Sequence, residues 1–183
     1  MREDMERILY TEAELKQRVD ELGAELSRDY ADKNPVFVGV LRGCFVFMAD
    51  LVRRFEGPCT LDFMAVTSYR GTRSSGHPVI TKDLVTDIHG RHVVIVEDIL
   101  DTGTTLSYLK KYLMSREPAS IALCAMFDKP EGRSKELKGT IDTDYCGFTI
   151  PNKFVVGYGL DYEDRYRNFP DLGILKREVY ESL

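Results

Sequence analysis

Residues 93–106 read Val93-Val94-Ile95-Val96-Glu97-Asp98-Ile99-Leu100-Asp101-Thr102-Gly103-Thr104-Thr105-Leu106. With His92 the run opens a strand over 92–96 that is apolar at every position after the histidine, without the alternation of a strand that has one wet face. Such a strand is buried on both sides, the habit of parallel sheets. It runs straight into two adjacent carboxylates, a third, and a small hydroxyl-rich turn. Leu106, Leu109 and Leu113 then recur at helical spacing until Pro118 stops the helix.

Working outward, the same rhythm repeats. Thr11 with Glu14 three positions on is a capping-box signature, and Leu15, Val19, Leu22 and Leu26 place one apolar stripe on a helix over about 11–30, ended by Asn34-Pro35. A short apolar run over 36–40 reads as a strand. Phe45, Met48, Val52 and Phe55 mark a second helix, closed by Gly57-Pro58. Strands over 61–66, 121–126 and 154–158 bring the number to about five, and residues 68–78 read as an exposed polar loop. Strand alternating with helix implies an α/β fold with a mostly parallel sheet, whose ligands sit outside the carboxyl ends of the strands.

Composition narrows the class. The chain has 183 residues, enough for one domain, and 43% of them are hydrophobic, enough for a real core. A net charge of -5 disfavours a protein that coats duplex nucleic acid, which needs a basic face. No apolar run reaches the roughly 18–20 residues that span a bilayer. The first ten residues, MREDMERILY, lack the apolar core of a secretion signal. Cys44, Cys59, Cys124 and Cys146 form no CxxC pair and read as reduced thiols, so the expectation is a cytoplasmic protein.

The turn after the central strand carries the chemistry. Gly103 allows close backbone approach, the helix N-terminus presents N–H groups, and Thr102, Thr104 and Thr105 add hydroxyls, a set suited to a phosphate monoester. Glu97, Asp98 and Asp101 beside that cradle are electrostatically unfavourable unless something lies between. A vicinal diol or a magnesium ion can accept a carboxylate next to a phosphate, so the arrangement suggests a phosphorylated ribose. Other phosphate motifs fail: there is no GxxxxGK[ST], the glycines at 157 and 159 are not followed by a third at 162, and residues 98–102 are one too long for DxDxT. His77, His89 and His92 have no metal-ligand spacing.

With these residues in hand, VVIVEDILDTGTTL resembles the phosphoribosyl-pyrophosphate (PRPP) motif of type I phosphoribosyltransferases, in the form of the 6-oxopurine branch. Leu41-Arg42-Gly43, Phe127-Asp128-Lys129-Pro130 and the segment from Pro151 to Tyr162 are similar to further motifs of that branch, in order over residues 35–167. The resemblance implies a Rossmann-like parallel-sheet core over approximately 32–142 plus 154–160, and a small hood from the N-terminal segment and the C-terminal residues. It implies Mg2+-dependent transfer of phosphoribosyl from PRPP to hypoxanthine or guanine, with no nucleic-acid or membrane partner and a dimeric or tetrameric homo-oligomer.

Site roles follow from the same resemblance. Glu97 and Asp98 would hold ribose hydroxyls, directly or through magnesium, and Asp101, Thr102, Gly103, Thr104 and Thr105 would form the 5'-phosphate loop, with Asp101 as general base at purine N7. Arg42, Gly43, Ser68, Tyr69 and Arg167 would bind pyrophosphate, with a cis Leu41-Arg42 peptide and a lid over 68–78. Lys129 would read O6 of the base, Phe154 would stack on it, Val155 would bond its edge, and Asp161 would ligate a second magnesium. Thr104 stands where animal members carry lysine, so phosphate binding here rests more on backbone and hydroxyl donors. A guanine- or xanthine-preferring transferase, or a PRPP-sensing regulator without catalysis, are the rival readings; retention of Asp101 and Lys129 disfavours the regulator.

Overall fold

Thr11 Oγ1 accepts from the Glu14 N–H while Glu14 Oε2 accepts from the Thr11 N–H at 2.8 Å, so both ends of the capping box are made. From this cap, helix α1 (Glu12–Tyr30) buries Leu15, Val19, Leu22 and Leu26, the stripe expected from spacing. The computed structural model describes residues 1–68 and 78–181, and of Ser68 the backbone alone. Further helices are α2 (Phe45–Val52), α3 (Thr104–Met114) and the single turn α4 (Arg177–Tyr180).

Strands β2 (Val36–Leu41), β3 (Thr60–Ser68), β4 (Pro78–Lys82), β5 (His92–Leu100), β6 (Ser120–Asp128) and β7 (Tyr145–Thr149) form a sheet ordered β4-β3-β2-β5-β6-β7. Every pairing is parallel except that of β4. Along β5, Val94 and Val96 pack with α1 and α2 on one face, while Val93 and Ile95 pack with Leu106, Leu109 and Leu113 of α3 on the other. This three-layer arrangement explains why the strand shows no polar alternation. Among the described residues no helix is long and apolar enough to cross a membrane. All four cysteines are free thiols, Cys44 and Cys124 buried.

A smaller antiparallel sheet, the hood, joins β1 (Met5–Tyr10), β8 (Val155–Val156) and β9 (Leu172–Leu175) in the order β1-β9-β8. Two expectations are corrected here. Val155 and Val156, placed by the sequence with the core over 154–160, pair with β9 of the hood: Gly157, Tyr158 and Gly159 all have positive φ, so the apolar run breaks after two strand residues. The core sheet takes β7 instead, an edge strand whose half-buried YCGFT sequence has no apolar run to announce it. Helix α2 also stops at Val52, short of Phe55.

Asp62 ties the outer edge of the core together. Its buried carboxylate accepts from the N–H groups of Val85 at 2.8 Å and Thr86 at 2.7 Å, and from its neighbour Phe63. Burial pushes its pKa upward, but the backbone donors of Thr86, Phe63 and Val85 prevail and bring it from an ordinary 3.8 to about 2. A depressed carboxylate stabilises the fold above its unfolded pKa, and that contribution is lost as pH falls through the folded value. Asp62→Asn is therefore expected to lower stability by about 2 kcal/mol at pH 7 and to flatten the acid limb between pH 4 and 2. Urea unfolding across that range measures it, and an acid limb identical to wild type would refute the assignment.

Candidate active site

Strand β5 continues through Glu97 and Asp98 to Leu100, four residues beyond the end read from its apolar run. The acids are thus rungs of the ladder, Glu97 opposite Ala125 of β6, and not free loop side chains. Both line a cleft at the carboxyl edge of the sheet with Gly43, Asp101, Thr102, Gly103 and Thr105. A Cβ on Gly43 would lie 1.6 Å from Asp98 Oδ2, so the loop after β2 packs its bare backbone on that carboxylate.

Burial, and then the charge of Asp98, push the Glu97 carboxyl well above the usual range. Asp98 rises to about 6, again chiefly by burial and with a contribution from Asp161; the Ile99 N–H and the Arg167 charge oppose it. Two carboxylates in this state are poised for hydroxyl donors or a hard cation. Among the described residues no three His, Cys, Asp or Glu side chains converge into a ready cation cage. Magnesium ordinarily takes only one or two carboxylates and fills its octahedron with phosphate oxygens and water, so this oxygen donor set fits that ion.

The loop from Asp101 leads into α3 through Gly103, which caps the helix at φ +81°, where a side chain would be strained. No acidic residue occupies the first turn, so the positive end of the helix dipole and its free N–H groups are left for an anion. Thr102 and Thr105 line the cleft; Thr104 is exposed beside it, its N–H 3.5 Å from Thr102 Oγ1.

Lys129 follows β6 directly. It is buried, and its Nζ donates to Asp101 Oδ2 at 2.9 Å. Arg133, in the charged run that follows, is buried as well. Its Nη1 donates to the carbonyls of Leu100 at 2.7 Å, Asp101 at 2.8 Å and Lys129 at 3.0 Å, and its Nη2 bonds the Asp128 carboxylate. Sequence reading missed Arg133, Gly132 and Asp164. The only signal was a Pro-Glu-Gly turn ahead of an arginine, which has no period to detect.

On the other flank the Leu41-Arg42 peptide is cis, as the resemblance implied. Arg42 reaches Asp164 at 3.3 Å, and Arg167 bonds Asp161 Oδ1 at 2.7 Å and the Gly159 carbonyl at 2.9 Å. Phe154 and Val155 sit in the hood and not among the cleft-lining residues; Phe154 stacks on Tyr180 at 4.8 Å and meets the Tyr162 ring edge-on. Tyr69 and most of the expected lid lie outside the described residues, as does the Ser68 side chain.

A helix N-terminus free of acids, facing buried carboxylates across the carboxyl edge of a parallel sheet, defines an α/β protein built around an anionic ligand. Comparison makes the class particular. The phosphoribosyl transferase domain matches residues 7–163. Hypoxanthine-guanine phosphoribosyltransferases from Streptococcus pneumoniae (strain ATCC BAA-255 / R6) and Bacillus subtilis (strain 168) are 49% and 48% identical, over 98% of both chains and over 100% and 99%. A crystal structure of a hypoxanthine phosphoribosyltransferase from Staphylococcus aureus superposes with a TM-score of 0.91 at 45% identity, covering 98% of this chain and 96% of that one. The chain belongs to the phosphoribosyl transferase family, in its hypoxanthine-guanine branch.

The raised Asp98 carboxyl has a measurable consequence. A group whose pKa is higher folded than unfolded stabilises below its unfolded value, and the contribution is lost as pH rises through the folded one. Asp98→Asn, which imitates the neutral form, is expected to be more stable than wild type by about 3 kcal/mol at pH 8, the gap closing below pH 4. Equal denaturation midpoints at pH 8 would contradict this.

Proposed function

We propose that this protein transfers 5-phosphoribosyl from PRPP to N9 of hypoxanthine, and of guanine, releasing pyrophosphate. The observation that carries the reading is the buried Lys129 ammonium 2.9 Å from Asp101, at the mouth of an acid-free helix N-terminus, in a chain of this family. That pair offers one donor and one acceptor to a base whose edge carries a carbonyl oxygen beside an N–H.

In the proposed mechanism the Gly103 turn and the α3 N-terminus bind the 5'-phosphate, and Asp98 with Glu97 takes the ribose hydroxyls. N9 of the purine attacks C1 of the ribose as the bond from C1 to the pyrophosphate oxygen breaks. Asp101 accepts the proton that leaves N7, so the product base is neutral, and Lys129 donates to O6. Arg42 and Arg167, already paired with Asp164 and Asp161, turn toward the departing diphosphate. Phe154 presents its ring to the base and the Val155 backbone meets the base edge. Glu97 and Asp98 would hold one Mg2+ and Asp161 a second, which when bound with PRPP neutralise diphosphate charge. Ser68, Tyr69 and the segment after them would close over the site and exclude water. The single domain is read as a cytoplasmic homo-oligomer; four free cysteines accord with a reducing compartment.

Incubation with PRPP, Mg2+ and hypoxanthine, guanine or xanthine in competition tests the reaction and ranks the bases; failure to form any nucleotide would end the proposal. Asp101→Asn is expected to cut kcat by ~10²–10⁴-fold with PRPP affinity unchanged and the fold kept. Lys129→Gln is expected to erode the preference for hypoxanthine over adenine by at least tenfold, since a charge-assisted bond is worth about 1.5–3 kcal/mol. Intact preference in that variant would remove Lys129 from base reading.

A further inference from the structure

We propose that Arg133 is a positioning residue, which sets the distance and angle between Asp101 and Lys129 and so governs both the rate and the choice of base. The inference rests on the proposed roles of those two residues and adds a third, which touches neither substrate.

Asp101 and Lys129 sit on different loops, one leaving β5 and the other β6. Their side chains are long or half exposed, and only their backbones can hold them in register. Arg133 bridges those backbones. A single guanidinium nitrogen donates to the carbonyls of Leu100, Asp101 and Lys129 at 2.7, 2.8 and 3.0 Å, while its other terminal nitrogen bonds Asp128, the last residue of β6 and the one before Lys129. Only arginine presents a planar fork of donors able to serve four acceptors at once; lysine has one nitrogen with three.

The neighbours fit the same purpose. A Cβ on Gly132 would lie 2.0 Å from Asp101 Oδ1, so the turn before Arg133 passes directly against the Asp101 carboxylate. Asp101 is therefore held between the Lys129 ammonium on one side and bare backbone on the other. On the far side, the Ser134 N–H donates to the Thr102 carbonyl at 3.1 Å, and the Arg133 Cδ lies 3.5 Å from where a Cβ on Gly103 would be. The segment thus underlies the phosphate loop as well. For stability alone an apolar pair in place of Arg133 and Asp128 would serve, because burying an ion pair is costly. What an apolar residue cannot do is hold three carbonyls from two loops together.

The test uses the whole enzyme, with Arg133→Lys and Arg133→Met compared with Lys129→Gln and all rates expressed per folded chain. The expected result is a loss of kcat of about 10²-fold in both Arg133 variants, the size of effect that a misplacement near 1 Å produces, with KM for PRPP within about threefold of wild type. Preference for hypoxanthine over adenine falls at least tenfold, and adding Arg133→Met to Lys129→Gln changes that preference less than about twofold, because the two act through one contact. Arg133 variants that lose thermal stability but keep kcat per folded chain and base preference overturn the proposal. If Arg133→Met does not fold, Gly132→Ala takes its place: it leaves Arg133 intact, crowds the Asp101 carboxylate and, at 3.2 Å, Lys129 Cδ, and is expected to lower kcat with PRPP binding preserved. Unchanged kcat in both Gly132→Ala and Arg133→Lys is then the overturning result. Should Lys129→Gln itself leave base preference unmoved, it is the base-reading role that fails, and Arg133 is judged on the split between kcat and the KM for PRPP.

Discussion

Parallel pairing of β5 with β6 places Leu100 directly opposite Asp128, and the rest of the site follows from that register. Two loops leave the sheet side by side, one opening with Asp101 and the other with Lys129, and a charge-assisted hydrogen bond spans the gap. A slip of one residue would turn every side chain of a strand to the opposite face. Since β5 is buried on both faces, such a slip would put Glu97 into the layer now filled by α3 or α1, and the core forbids it. The precision of the chemistry is thus inherited from apolar packing some distance below it.

Electrostatically the site balances opposed demands. The chain is net acidic, and two of its acids are held in the cleft with their pKa values raised by burial. Next to them the α3 N-terminus, Lys129, Arg42 and Arg167 supply positive potential. A ligand carrying both hydroxyl groups and phosphates meets each of these with the matching group. A simple anion would satisfy one set and be repelled by the other, so specificity for a sugar phosphate is a property of the pair of features and of neither alone.

The hood contributes a different surface. Phe154, backed by the Tyr180 ring and edged by Tyr162, is an exposed aromatic on an otherwise small sheet, while Arg167 and Asp161 stand where hood and core meet. The ion pair of Arg42 with Asp164 joins the loop after β2 to the same hood segment. In the proposed reading core and hood would divide the ligand, phosphate, ribose and one edge of the base to the sheet edge and the face of the base to Phe154.

The five-residue apolar runs and the capping box at Thr11 were legible because burial on two faces and helix initiation leave strictly local patterns. The turn from Asp101 to Thr105 was legible for the same reason: glycine and hydroxyl residues at a strand exit have few other uses. By itself, then, the sequence determined the α/β class, the central strand and the glycine-threonine turn beyond it. Tertiary structure decided what depends on distant partners. Val155 and Val156 pair with β9 of the hood and not with the core; β7 becomes a strand because β6 offers an open edge; and Arg133, hidden in a charged run, becomes a buried hub because carbonyls from two loops converge on it. A hydrogen bond between residues about 30 positions apart leaves no periodicity along the chain, so only the folded register could reveal it.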